Sequence, residues 1–166
     1  LIFVLLAVLF RYFVFISGLT WLAGFELITM TAVLSARRDK YAFLYPLITV
    51  GLTNLVIPIG RVTMTYVLAA WLIVGFISFL LRRSPYIVSA IASTSAFFFI
   101  TNLGVFLEGW YGYSVHGLLN CYWMALPFVY KQMFGNLMVA IIATFGLKYK
   151  TIFATLPPNH AIVKKI

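Results

Sequence analysis

From Val62 to Leu107 the only charged residues are two neighbours, Arg82 and Arg83. A helix packed in water keeps a charged or polar face along its whole length, and this stretch has none. The residues flanking the Arg82-Arg83-Ser84-Pro85 break read as two apolar helices, Val62 to Leu81 and Tyr86 to about Leu107. Each is long enough to cross a hydrocarbon layer about 30 Å thick. The rest of the chain follows the same pattern. Of its 166 residues 64% are hydrophobic and 9% charged, against roughly 25% charged in a soluble domain. The sequence therefore predicts an all-α integral membrane protein with room for about six spans of roughly 20 residues.

In chain order, helix 1 is expected from Leu1 to Ile16 with Arg11 inside it. Leu1 is not a methionine, so residues upstream are expected. The run lacks a basic leader and a small-residue cleavage site, so it reads as a span and not a signal peptide. Gly18 and Gly24 break the chain before a short helix 2, Phe25 to Ala36, with Glu26 near its start. Helix 3, Tyr41 to about Ile59, places Leu47, Gly51, Asn54 and Pro58 at helical spacing, and so puts Gly51 and Asn54 on one face. In helix 4, Trp71, Gly75 and Ser78 share a stripe. In helix 5, Ser89, Ser93 and Ala96 form a small-residue face suited to close packing. The aromatic stretch around Trp110, Tyr111 and Tyr113 follows. Because Pro127 interrupts the next apolar run, Leu118 to Tyr130 reads as a re-entrant or interfacial segment before helix 6, Met133 to about Leu147. The domain reading is residues 1–147 as a six-helix transmembrane bundle and 148–166 as a cytoplasmic tail containing Pro157-Pro158.

Orientation follows from the basic residues. In a six-span arrangement one side holds Arg37, Arg38, Lys40, Arg82, Arg83, Lys148, Lys150, Lys164 and Lys165, nine of the twelve. The other side holds Arg61 and Lys131. Lys and Arg collect on the cytoplasmic side, so both termini are expected inside and the Trp110 to Tyr130 region outside. The net charge of +9 thus reads as topology rather than as a nucleic-acid surface.

Chemistry is bounded first by what is missing. The sequence has no phosphate-cradling glycine loop and no histidine or cysteine set at metal-ligand spacing. Three acidic residues in all leave no multi-carboxylate relay. The chain reads as a non-enzyme without a cofactor, which leaves binding, transport or scaffolding. Arg11 lies mid-helix, where a charge costs a few kcal/mol, and is expected to face the bundle interior or a wet cavity. Glu26 is its expected partner, either as a structural ion pair or facing a ligand. Asn54, Asn102 and Asn136 fall in three different spans. Each could serve an interhelical hydrogen bond, and together with Thr101 they could line a polar pocket. Trp110, Tyr111, Tyr113, Tyr122 and Trp123 gather at the outer boundary. They read either as an aromatic belt or as a lid stacking on a flat organic ligand, hinged by Gly109, Gly112 and Gly117. His116 reads as a loop residue, His160 as a tail residue, and Cys121 as a small buried hydrophobe.

The run Phe98 to Val105, F-F-x-T-N-x-G-V, followed by Gly117-Leu118, Cys121-Tyr122, Ala125, Pro127-Phe128 and Gly135-x-Leu137, resembles a family of bacterial membrane proteins. That family is classed with the substrate-binding, or S, components of energy-coupling-factor (ECF) transporters. The resemblance is most specific from Phe98 to Leu137 and weaker from Arg11 to Gly60. It implies an ECF S-component-like six-helix bundle in the inner membrane, both termini cytoplasmic, with a pocket open outward. Such proteins capture a vitamin-like micronutrient for uptake by a transmembrane coupling subunit and an ATPase pair. The chain departs from that family at Asn54 and Asn136, where aspartate is usual, and at Gly24-Phe25-Glu26-Leu27, where Asn-Phe-x-Pro is usual. It also carries Arg11 four residues after Ala7, where characterised S components continue a small-residue coupling stripe.

Two readings follow. In the first, Arg11, Glu26, Asn54, Thr101, Asn102, Trp110, Tyr113, Tyr122 and Asn136 surround a small, aromatic or heteroaromatic ligand. In the second, the chain is a non-transporting subunit that reuses the fold to scaffold a larger membrane complex, its aromatic faces packing on partner helices.

Overall fold

A computed structural model describes residues 2–18, 25–55 and 61–155. Expectations that rest on Leu1, Gly24, Pro58, Gly60, Pro157-Pro158, His160, Lys164 and Lys165 lie outside the described residues. The architecture is all-helical: α1 (Ile2–Ile16), α2 (Phe25–Ser35), α3 (Tyr45–Asn54), α4 (Arg61–Leu80), α5 (Tyr86–Leu107) and α6 (Val115–Thr155), with a 3-10 turn at Ala42–Leu44 leading into α3. Two of the helices, α5 and α6, are long and apolar enough to cross a membrane.

The helix ends follow from local chemistry. Pro46 sits in the first turn of α3, where its missing N–H has no intrahelical partner to lose. Pro85, with φ −53°, stands just before α5. Carbonyls of the turn that follows α4 are taken up by side chains from outside it. Ser89 donates its hydroxyl to the Leu81 carbonyl at 3.0 Å, and Arg37 bonds the Arg82 and Ser84 carbonyls at 2.9 and 2.6 Å. These bonds satisfy backbone acceptors between the two helices.

The core runs between α2, α4 and α5. Trp71 is fully buried and its ring lies 4.3 Å from that of Phe97. The stripe Trp71, Gly75, Ser78 faces inward as its spacing predicts. A Cβ at Gly75 would collide with the backbone of Phe43, so the 3-10 turn sits directly on α4 because residue 75 has no side chain. Ser89 and Ser93 are buried on α5, and the Ser93 hydroxyl meets that of Ser78 at 3.0 Å. The small-residue face of α5 thus seats α4.

Two helices have their polarity inside out. On α1 the buried positions are Val4, Ala7, Arg11 and Val14, while Leu5, Leu6, Leu9 and Phe13 are exposed. On α6 the buried positions include Gln132 and Asn136, while Phe128, Phe134, Met138 and Ile142 are exposed. The charge and the amides point inward among small apolar residues, and large apolar side chains occupy much of the outside, where a helix packed in water keeps a polar face.

The structure corrects three sequence expectations. First, there is no separate re-entrant segment between residues 118 and 130: α6 is one helix from Val115 to Thr155 with Pro127 inside it. An interior proline costs a helix about 3 kcal/mol, and contacts with α5 on both sides of it offset that cost. Before Pro127, Cys121 bonds the Asn102 carbonyl at 3.2 Å and Tyr122 bonds the Phe99 carbonyl at 2.8 Å. After it, Asn136 bonds Thr94 at 2.7 Å. Second, the face shared by Gly51 and Asn54, which could have lined a polar pocket, is not the inner face of α3: the helix turns inward through Thr49, Val50 and Thr53, Gly51 is exposed and Asn54 half-buried. The threonine hydroxyls donate to carbonyls of their own helix, Thr49 to Tyr45 at 2.8 Å and Thr53 to Thr49 at 3.0 Å. Their polarity is thereby satisfied locally, and they pack inside. Third, Arg11 is joined to α3 rather than to Glu26. Its Nη1 donates to the Thr53 hydroxyl at 2.6 Å, and Glu26 packs against Gly135 on α6.

Candidate functional site

The side chains that could recognise a ligand divide into three places. The innermost lies where α6 faces α2 and α5. Asn136 is fully buried, and its Nδ2 donates to Thr94 Oγ1 at 2.7 Å. The Thr94 hydroxyl proton is already committed to the Ala90 carbonyl at 2.8 Å. Thr94 Oγ1 can therefore only accept, which orients the Asn136 amide and leaves Oδ1 and the second Nδ2 hydrogen outside that bond. The Oδ1 oxygen is buried with no hydrogen-bond partner. One turn earlier, the buried Gln132 leaves Nε2 in the same condition. Residues four apart on a helix share a face, with Cβ atoms about 5–6 Å apart. The inner face of α6 thus presents one unmet donor and one unmet acceptor.

Glu26 borders this place. A Cβ at Gly135 would collide with Glu26 Cγ, so the bare backbone at Gly135 is what lets the first turn of α2 approach α6. Gln132 carries no weight in the sequence reading, which takes the Lys131 region as a break between segments. Its signal is the i, i+4 spacing to Asn136, legible once α6 is known to be continuous.

The second place is the aromatic turn between α5 and α6. Gly109 and Gly112 adopt φ of 80° and 75°, a backbone region open to glycine at little cost. The turn is stapled to its neighbours. Trp110 Nε1 donates to Glu108 at 2.8 Å, the Tyr113 hydroxyl to the Leu107 carbonyl at 3.2 Å, and the Gly117 N–H to Ser114 Oγ at 3.0 Å. The last of these is an N-cap for α6. Trp110 and Tyr113 are 73% and 75% exposed, so they stand away from Asn136.

The third place is a shallow groove of about 660 Å³ between the second half of α5 and the first turns of α6, walled by Phe98, Phe99, Tyr122 and Trp123 with His116 and Asn120. The Tyr122 ring meets Phe98 and Phe99 at 5.6 and 5.9 Å. His116 is exposed in the first turn of α6, 3.1 Å from Asn120.

The remaining expected site residues are spent within the fold. Thr101 and Asn102 bond carbonyls of their own helix, Phe97 and Phe98, each at 2.8 Å. Asn102 also offers its backbone carbonyl to Cys121, which is buried. Asn54 is half-buried at the end of α3, beside the Arg11–Thr53 contact. Of the nine side chains, the structure brings Glu26 and Asn136 to one place, and Arg11 and Asn54 to the α1–α3 seam. Trp110 and Tyr113 lie at the turn, and Tyr122 lies on the groove.

Neither the curated proteins nor the solved structures contain a match to this chain. A family model matches residues 1–154, nearly its whole length. The chain belongs to that family, the family of unknown function DUF6580.

Proposed function

We propose that the chain is a multi-pass membrane protein of the S-component kind. On this reading it captures a small heteroaromatic or amide-bearing molecule at Gln132 and Asn136 and hands it to partner subunits for ATP-driven uptake. The observation that carries the reading is the buried, unmet Gln132 Nε2 and Asn136 Oδ1. A buried polar group without a partner costs about 1–3 kcal/mol. A ligand offering one acceptor and one donor along an edge, as an amide, lactam or pyrimidine does, recovers that cost for both groups. Asn136 is held by Thr94, so little ordering is required on binding. Glu26 adds a carboxyl beside the site.

The membrane part of the proposal is supported by the inverted polarity of α1 and α6. Exposed Leu5, Leu9 and Phe13 suit lipid, and inward Arg11 is where an intramembrane charge belongs. The basic residues after α2 and α4 and in the tail support cytoplasmic termini in a bacterial inner membrane.

A second reading has its own observation. Trp123, Phe128, Tyr130 and Phe134 are 68–74% exposed on α6, a surface that also suits the helices of a larger assembly. Affinity purification of the full chain from its source membrane separates the two. Recovery of a coupling subunit with an ATPase pair supports uptake. Recovery of a stable assembly lacking any ATPase supports scaffolding and overturns the transport reading.

A further inference from the structure

At the end of the bundle opposite the aromatic turn, the segments after α2 and α4 bring Arg37, Arg82 and Arg83 around one open cavity of about 420 Å³. Two of these groups are held in place. Arg37 donates Nε and Nη2 to the Arg82 and Ser84 carbonyls, and its guanidinium lies 4.2 Å from the centre of the Tyr86 ring. Arg82 stacks over Phe79 at 4.2 Å. The carbonyl bonds use two of the five N–H donors of Arg37 and leave three for a ligand. Asp39 is the one acidic residue at this end, since Glu26 opens α2 and Glu108 follows α5. It is taken by the Tyr45 hydroxyl and the Tyr41 N–H. The wall of the cavity is therefore three guanidinium groups without a carboxylate.

A second cavity, about 330 Å³, is lined by Phe3, Leu34, Val139 and Ile142 together with Arg38 and Tyr86. Tyr86 links the two spaces: its ring bears the Arg37 guanidinium and also lines the apolar cleft. Inorganic phosphate would need only the arginines, and a hydrocarbon only the cleft. One molecule that carries both parts fits the pair.

The geometry points to a site for an anionic phospholipid, with its phosphate among Arg37, Arg82 and Arg83 and one acyl chain in the cleft between α1, α2 and α6. Guanidinium groups suit phosphate through paired N–H donors, and basic clusters on the cytoplasmic side meet anionic headgroups there. The site rests on the reading of the apolar helices as spans and is independent of the ligand proposed at Gln132 and Asn136.

Native mass spectrometry of the detergent-solubilised full chain tests it, with palmitoyl-oleoyl phosphatidylglycerol, palmitoyl-oleoyl phosphatidylcholine and inorganic phosphate as separate probes. One phosphatidylglycerol is expected to be retained in preference to phosphatidylcholine. Arg82→Ala and Arg83→Ala should each weaken it about fivefold, the equivalent of roughly 1 kcal/mol per arginine near a charged surface. Ala143 also lines the cleft, and Ala143→Trp, which fills it, should weaken retention as well. Arg83 is exposed, so its variant remains informative if Arg82→Ala misfolds. Equal retention of the two lipids, or retention unchanged in both arginine variants, overturns the proposal. Competition by inorganic phosphate at equal concentration, with no effect of Ala143→Trp, overturns the lipid assignment in favour of a free anion. Recovery of the chain in the soluble fraction removes the membrane reading, and this site with it.

Discussion

Gln132 and Asn136 stand one turn apart on the inner face of α6, and the nitrogen of the first and the oxygen of the second are buried without hydrogen-bond partners. Apolar replacement of such groups separates stability from function. Gln132→Leu removes an unmet donor, and should leave thermal stability in detergent unchanged or raise it by about 1 kcal/mol. Ligand retention should fall at least tenfold. A variant that unfolds while the ligand is irrelevant would show that the amide supports the fold.

Asn136 differs because one end of its amide is used. Asn136→Leu breaks the bond to Thr94, and should destabilise the bundle by about 1–2 kcal/mol while also abolishing ligand retention. Thr94→Val should reproduce the stability loss and weaken retention less, because the Asn136 oxygen stays in place. Thermal unfolding and ligand titration on the same preparations check both.

Gly75 and Gly135 each permit a close approach, but to different atoms. At Gly75 an added Cβ meets the Phe43 backbone, whereas at Gly135 it meets the Glu26 side chain. A backbone cannot rotate away as a side chain can. Gly75→Ala should therefore cost more than Gly135→Ala, with both within or somewhat above the 1–3 kcal/mol usual for overpacking. Equal losses would contradict the contact geometry.

Arg11 and Thr53 form one unit across α1 and α3. Thr53→Val leaves a buried guanidinium short of an acceptor and should destabilise by about 1–3 kcal/mol. Arg11→Met in that background should cost less than Arg11→Met in the native chain. A double-mutant cycle with no coupling between the two positions would disprove the pairing.

Asp39 supplies the pH dependence. The Tyr45 hydroxyl, and then the Tyr41 N–H, hold its carboxyl below the ordinary aspartate range. A carboxyl depressed on folding contributes stability that is fully present above its unfolded pKa and is lost as pH falls through its folded pKa. The stability difference between the native chain and Asp39→Asn should stay constant from neutral pH down to the ordinary aspartate range and close below it.

Much of the fold is legible in residue order, and the exceptions share a cause. The bounds of α5 follow from Pro85 on one side and from the glycines of the aromatic turn on the other. The inward stripe of α4 follows from Trp71, Gly75 and Ser78. Pro127, by contrast, is a local breaker overruled by Cys121, Tyr122 and Asn136 bonding α5, which no local rule reports. The inner face of α3 escapes local rules for a similar reason: threonines that bond their own carbonyls can be buried as readily as apolar residues. Asn136 stands out in sequence as an amide within a span. Gln132 becomes visible only when Lys131 is placed inside a helix, and the separation of Trp110 and Tyr113 from Asn136 depends on how the turn folds back.

The central claim is that the Gln132–Asn136 face holds a small molecule, and native mass spectrometry of the protein released from its source membrane tests it most directly. A bound mass of vitamin-like size is expected on the native chain and should be lost in Gln132→Leu and Asn136→Leu. A bound molecule that persists in both variants, or a native chain that carries none in any preparation, would contradict it.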